Sequence, residues 1–332
     1  MILGILLGFL GQITLLLTIK KLSSKISWRL ALICILIYLI LVISIKSEYQ
    51  FYIASFINGM ALFFFFVFYN IAHFKKAEAE NRGHFSALMF ATPGVISIIA
   101  PLLAGFITQI NINLLWIASF IFFIASFSLT SIQEKFEVKF NVKESIKEIT
   151  ATRVFLLLEG IWEALPFAII PIYTLFFIKT PLEYGAFLSY LAVISVAANL
   201  TLGRVTDKLQ KRIIFLYPLT ILMAIFTLLF TQVNYDLGTW LILTSTIQFL
   251  LPLFWSVSTA MVIDSHSNLE LAIPGRELML TVGRIIGALI VFIGFTLEKT
   301  PYYIFIILGL VLFLYPIILF WNTKVSKNHS YL

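Results

Sequence analysis

The chain has 332 residues, 61% of them hydrophobic and 12% charged, with a mean hydropathy of +1.02. Soluble domains carry about 25% charged residues, so this composition excludes one and points to an all-α polytopic membrane protein. The net charge of +7 is spread over short loops rather than gathered on a basic surface with stacking aromatics, which excludes nucleic acid as a partner; the lone Cys34, inside an apolar run, excludes a disulfide framework or a cysteine metal cluster.

A membrane-crossing helix needs roughly 17–25 apolar residues, and eleven runs meet or approach that length. In chain order they are Ile2–Ile19, Leu30–Ile45, Phe51–Ala72, Phe85–Ile107, Ile112–Thr130, Val154–Phe177, Leu182–Leu202, Ile213–Gln232, Leu237–Ile263, Leu278–Leu297 and Tyr302–Trp321. Short connections favour antiparallel neighbours. Within the first run Gly4, Gly8 and Gly11 are placed for close helix packing. Between the fifth and sixth runs, Ser131–Arg153 is the longest polar stretch. In it Phe136, Val138, Phe140 and Val142 alternate with polar residues, which reads either as a partly amphipathic linker on the inner membrane face or as a solvated tether.

Basic residues concentrate on one set of loops, from Lys20, Lys21 and Lys25 through Lys135–Arg153 to Lys324 and Lys327, whereas the opposite set holds Lys46, Lys179 and Lys299. Basic residues stay inside, so the C-terminus is expected in the cytoplasm and, with eleven crossings, Met1 outside. The expected location is the cell membrane.

The loop Gly203–Arg212 carries Gly203, Asp207, Lys208, Lys211 and Arg212 immediately after an apolar run. It resembles the signature loop of the major facilitator superfamily, departing from it at Gln210, where the family usually has a glycine. The helices after Asn81-Arg82-Gly83 and Pro274-Gly275-Arg276 also match weakly, as parallel repeats would. The resemblance implies twelve helices in two bundles that rock against each other. Counting from the loop leaves five helices before the linker and six after it. The division expected is therefore a five-helix bundle over 1–130, a cytoplasmic linker over 131–153, a six-helix bundle over 154–323 and a tail over 324–332, with the family's first helix missing. A late start codon or truncated gene is the favoured reading over a natural eleven-helix protein. The resemblance also implies that Asp207 and its basic neighbours form an inner gate with the helix opening after Arg82, while the first half's version, Thr18–Lys25, has lost the aspartate.

Chemistry is expected inside the sixth run. Glu159 and Glu163, spaced i,i+4, share a helix face and lie roughly 9 and 15 Å beyond Arg153 along the axis. A carboxylate at that depth costs about 2.5 kcal/mol or more unless protonated, paired or facing water. Two like charges one turn apart oppose joint ionisation, which makes Glu163 and then Glu159 candidates for taking up a proton; a structural pair with an arginine is the alternative. Pro166 and Pro171 break the same helix, and broken helices mark substrate sites in transporters. Arg284, at about 12 Å beyond Arg276, needs a partner; a structural pair with Glu159 or Asp264 is favoured over anion binding. Trp162, Asn58, Gln248 and Trp255 complete the candidate solute site; Asn70 and Asn199 are weaker candidates.

The function expected is a secondary active transporter moving a small organic solute, with a proton as possible coupling ion, the lipid bilayer as its environment, a monomeric state and no cofactor. An acidic, aromatic wall suits a cationic or amphipathic solute. The alternatives are a transport-inactive sensor or scaffold, a fragment, and a lipid-modifying enzyme. No enzyme is expected, because His73, His84, His266 and His329 form no metal-ligand spacing and there is no Gly-x-Ser-x-Gly elbow.

Overall fold

The computed structural model describes residues 1–76, 82–207, 212–233, 236–266, 268–297 and 302–325, with backbone alone at 74–76, 82–92, 200–207, 212–213, 264 and 323–325. The helices are α1 (Ile2–Thr18), α2 (Ser24–Ile43), α3 (Glu48–Lys76), α4 (Arg82–Ile110), α5 (Ile112–Leu129), α6 (Val142–Glu148), α7 (Arg153–Trp162), α8 (Ile170–Phe177), α9 (Pro181–Asp207), α10 (Leu216–Leu229), α11 (Leu237–Ser265), α12 (Leu269–Leu297) and α13 (Tyr302–Val325). Among the described residues nine spans are long and apolar enough to cross a membrane, with α7 and α8 forming one of them. The shorter apolar helices Ile2–Thr18 and Leu216–Gln232 account for the two remaining predicted runs.

Two bundles result. In the first, α1 and α2 pack along α3; in the second, α7 packs on α12 and α13, and α10 on α11 and α13. The bundles meet through α4 against α9 and through α1 and α3 against α12. Small residues let these backbones approach, as expected where lipid supplies no hydrophobic drive between helices. A Cβ on Gly59 of α3 would overlap the backbone of Gly8 in α1, and one on Gly105 of α4 would lie 2.6 Å from the Pro181 carbonyl at the start of α9. By contrast α5 buries none of its residues, so its apolar surface is left for lipid.

Of the two readings of residues 131–153, the structure departs from the solvated tether, because the apolar side of the segment is buried against the helices. The segment's apolar-polar alternation has the period of a strand, and β2 (Glu137–Lys139) pairs antiparallel with β1 (Lys21–Ser23), Val138 opposite Leu22. Val138 is fully buried and Phe140 nearly so, the latter against Phe63 and Phe68 of α3. Ser24 fastens the crossing: its hydroxyl donates to the Glu134 carbonyl at 2.9 Å and accepts from the Phe136 N–H at 3.0 Å. The segment then continues into α6, which packs on the start of α12.

In the second bundle, tryptophans tie helices through satisfied indole N–H groups, as buried indoles require. Trp162 donates to Thr227 of α10 and Trp240 of α11 to Thr174 of α8, both at 3.0 Å. Asp236 caps α11 by accepting from the Thr239 hydroxyl and the Thr239 and Gly238 N–H groups, which holds its carboxyl below the usual range.

Overpacking costs typically about 1–3 kcal/mol, so Gly59→Leu is expected to lower the thermal midpoint of the detergent-solubilised protein. Gly238→Ala, whose added Cβ would meet nothing closer than 3.4 Å, is expected to leave it unchanged.

Candidate functional site

The acids of α7 meet the bases of α12 where those helices cross. Gly160 and Gly283 permit the crossing: a Cβ on Gly160 would lie 3.0 Å from the Gly283 Cα, and one on Gly283 would lie 2.8 Å from the Gly160 Cα. Directly after Glu163 the helix widens into a π-helical turn, Leu165–Ile169, around Pro166. The proline has no N–H to give, and such turns occur often at functional sites.

Glu163 is 1% exposed and uses both oxygens. Oε1 accepts from the Trp255 indole N–H at 2.7 Å, and Oε2 from Arg284 Nε at 2.6 Å. The Arg284 guanidinium lies over the Phe167 ring, 5.4 Å from its centroid, and that ring stacks on Trp255 at 5.9 Å and 19°. A carboxylate, a guanidinium and two rings thus form one unit across α7, the π turn, α11 and α12.

Glu159, one turn below, is fully buried. Its Oε2 accepts from the Ser258 hydroxyl of α11. Among the described residues its Oε1 accepts no hydrogen bond, and it lies 3.9 Å from Arg276 Nη2. Arg276 is committed elsewhere: Nη1 donates to Glu277 Oε1 at 2.7 Å and Nη2 to Thr259 at 3.0 Å, and among the described residues its buried Nε has no acceptor. Glu277 also accepts from Asn70 Nδ2 at 3.2 Å. Asn70 belongs to α3, so this hydrogen bond joins the two bundles.

The partner of Arg284 is Glu163, where Glu159 or Asp264 was expected; the Gly160–Gly283 crossing sets Arg284 beside the upper acid and Arg276 near the lower one. The side chain of Asp264 lies outside the described residues. The acidic wall expected from sequence is accordingly interleaved with two arginines. Trp255 joins the cluster. Trp162 instead points into the C-terminal core, edge-on to Phe254 at 6.1 Å and bonded to Thr227. Asn58 and Gln248 are half-buried, and among the described residues neither hydrogen-bonds to the cluster. Of the gating loop, Lys208 and Lys211 lie outside the described residues, and so do the side chains of Asp207, Arg212 and Arg82; Gly203 is described by its backbone in α9.

The sequence reading missed Arg276 and Glu277 as site residues because it began the tenth run at Leu278, whereas α12 begins at Leu269 with Pro274 in its second turn. Ser258, Thr259 and Phe167 gave no signal, being residue types common in any membrane helix.

No protein-family model matches the sequence, and no curated protein does. Solved structures do match. The human organic anion transporter MFSD10 (TETRAN) aligns with TM-score 0.69 at 11% identity, covering 96% of this chain and 81% of its own. The E. coli fucose:proton symporter FucP aligns at 0.61 and 10%, covering 96% and 88%. A bacterial homologue of the iron transporter ferroportin, in an outward-facing state, aligns at 0.63 and 13%, covering 97% and 90%. The chain therefore has the two-bundle fold of major facilitator-type transporters.

Removing one partner of a buried ion pair costs about 3–5 kcal/mol, because the other charge is left uncompensated. Arg284→Gln is therefore expected to destabilise the protein strongly, and Glu163→Gln added to it to recover much of the loss. Thermal unfolding of the single and double variants in detergent measures this; simple additivity of the two losses would mean the pair is not coupled.

Proposed function

We propose that this chain is a secondary active transporter that moves a small organic solute by alternating access between its two bundles, coupled to a proton held on Glu159. The observation carrying this reading is the uneven satisfaction of the two acids. Glu163 accepts a hydrogen bond on each oxygen, one of them from the Arg284 guanidinium, and so is already paired as a carboxylate. Among the described residues the Glu159 Oε1 accepts none, so it is the oxygen left open to a proton. On this reading the proton site is Glu159, where the sequence favoured Glu163.

Charge counting supports the same choice. Among the described residues Glu159, Glu163 and Glu277 surround Arg276 and Arg284, so full ionisation of these five leaves one carboxylate in excess. Uncompensated charge inside the membrane is costly, and a proton removes it. When Glu159 loses that proton its charge draws Arg276 across the 3.9 Å gap, away from Glu277. Glu277 then holds Asn70 less firmly, and the contact between the bundles loosens. Proton occupancy and bundle closure are linked through one arginine, a bistable element of the kind such transitions need.

The neighbours support this reading, since one is named a proton symporter and another an organic anion transporter. The C-terminus is cytoplasmic, Met1 is outside and the chain works as a monomer without cofactor or enzymatic activity. The loop Gly203–Arg212 acts with the helix after Arg82 as the inner gate.

The test uses proteoliposomes and a panel of small organic anions, cations and neutral solutes under an imposed pH gradient. For any solute that the wild type accumulates, Glu159→Gln is expected to abolish gradient-driven accumulation while retaining exchange of solute across the membrane. Undiminished accumulation in Glu159→Gln would reject Glu159 as the proton site.

A further inference from the structure

The ion pair between Glu163 and Arg284 leaves part of the guanidinium unused. It engages Nε alone, and among the described residues Nη1 and Nη2 donate to nothing. The Arg284 side chain is 16% exposed. Hydrocarbon cannot accept those N–H groups, and a guanidinium at mid-membrane depth faces a bundle interior or a water path. Beside it the Phe167 ring, 38% exposed, stacks on half-buried Trp255. An open bidentate donor edge and a partly uncovered aromatic surface therefore adjoin each other, about 12 Å along α12 from Arg276.

We propose that this juxtaposition is the solute subsite and that it takes a planar aromatic anion, its carboxylate or sulfonate held by Arg284 Nη1 and Nη2 and its ring laid against Phe167 and Trp255. Guanidinium matches such oxyanions with two parallel hydrogen bonds, and ring stacking supplies apolar contact with orientation. A cation fits poorly, since it would meet a guanidinium outer edge while both oxygens of the nearest acid are already occupied. The charges around the subsite are Glu163, Glu159 and Glu277 with Arg276, so an anion is best accommodated when the excess carboxylate is neutralised. This inference rests on the transporter reading for its purpose, but its binding test does not.

The test is calorimetric titration of the detergent-solubilised full chain with naphthalene-2-sulfonate, which stays ionised across the usable pH range. Comparison ligands are naphthylmethylammonium, of opposite charge, and cyclohexanesulfonate, which lacks the flat ring. Naphthalene-2-sulfonate is expected to bind at least about tenfold more tightly than either, and Arg284→Lys, which keeps the charge but loses the fork, to weaken it by about tenfold. Phe167→Leu, at a partly exposed position and so tolerant of substitution, is expected to weaken the naphthalene ligand while leaving cyclohexanesulfonate unaffected. Absence of sulfonate binding to the wild type, equal or tighter binding of the ammonium ligand, or unchanged affinity in both variants would overturn the subsite. Binding without uptake into proteoliposomes would instead count against the transporter reading, and uptake of an unrelated solute without sulfonate binding would remove the subsite and leave the transporter.

Discussion

The close crossing of α7 and α12 at Gly160 and Gly283 is the constraint from which the site follows. Both helices rise from the end bearing the basic loops, so residues on one stay opposite residues on the other over several turns. With side chains at the crossing the axes would separate, and the 2.6 Å contact between Arg284 and Glu163 would open. Two acids one turn apart on α7 would then be buried beyond reach of their counter-charges, a state the membrane interior penalises heavily. Packing of the smallest residues is thus what makes the most polar residues tolerable.

The resulting network is graded rather than symmetric. Its upper half, Glu163 with Arg284, Trp255 and Phe167, has every carboxylate oxygen satisfied and a cationic edge to spare. Its lower half, Glu159 with Arg276 and Glu277, has among the described residues a carboxylate oxygen without a donor and an arginine nitrogen without an acceptor. A half-satisfied buried network costs more than a complete one and persists where an alternative arrangement is needed. Here the alternative is a short one, because Arg276 is already within ion-pair distance of both acids, and one of those acids reaches across to α3.

Much of the architecture was legible in the amino-acid pattern. Apolar runs of membrane length identify spans directly, since no backbone polar group can be left open to lipid, and each of the eleven runs has its helix. Glu159 and Glu163 stood out for the same reason that they are informative in three dimensions: each is costly where it sits. The strand pairing of Val138 with Leu22 was less legible, because a period-two pattern says nothing about which distant segment completes the ladder. The lower half of the site was hidden by a boundary. Arg276 and Glu277 follow Pro274 and Gly275, a pair that normally marks a loop, yet α6 packs against that turn and keeps it helical. Which guanidinium serves which carboxylate depends on the crossing point of two helices, and that information is not local to either.

Glu159, rather than Glu163, is the residue proposed to hold the mobile proton. Infrared difference spectroscopy of the reconstituted protein between alkaline and acidic buffer reads this directly through the carbonyl stretch of a protonated carboxylic acid. A band gained on acidification is expected to be missing in Glu159→Gln and retained in Glu163→Gln. A band lost in Glu163→Gln and kept in Glu159→Gln, or kept in both, would contradict that assignment.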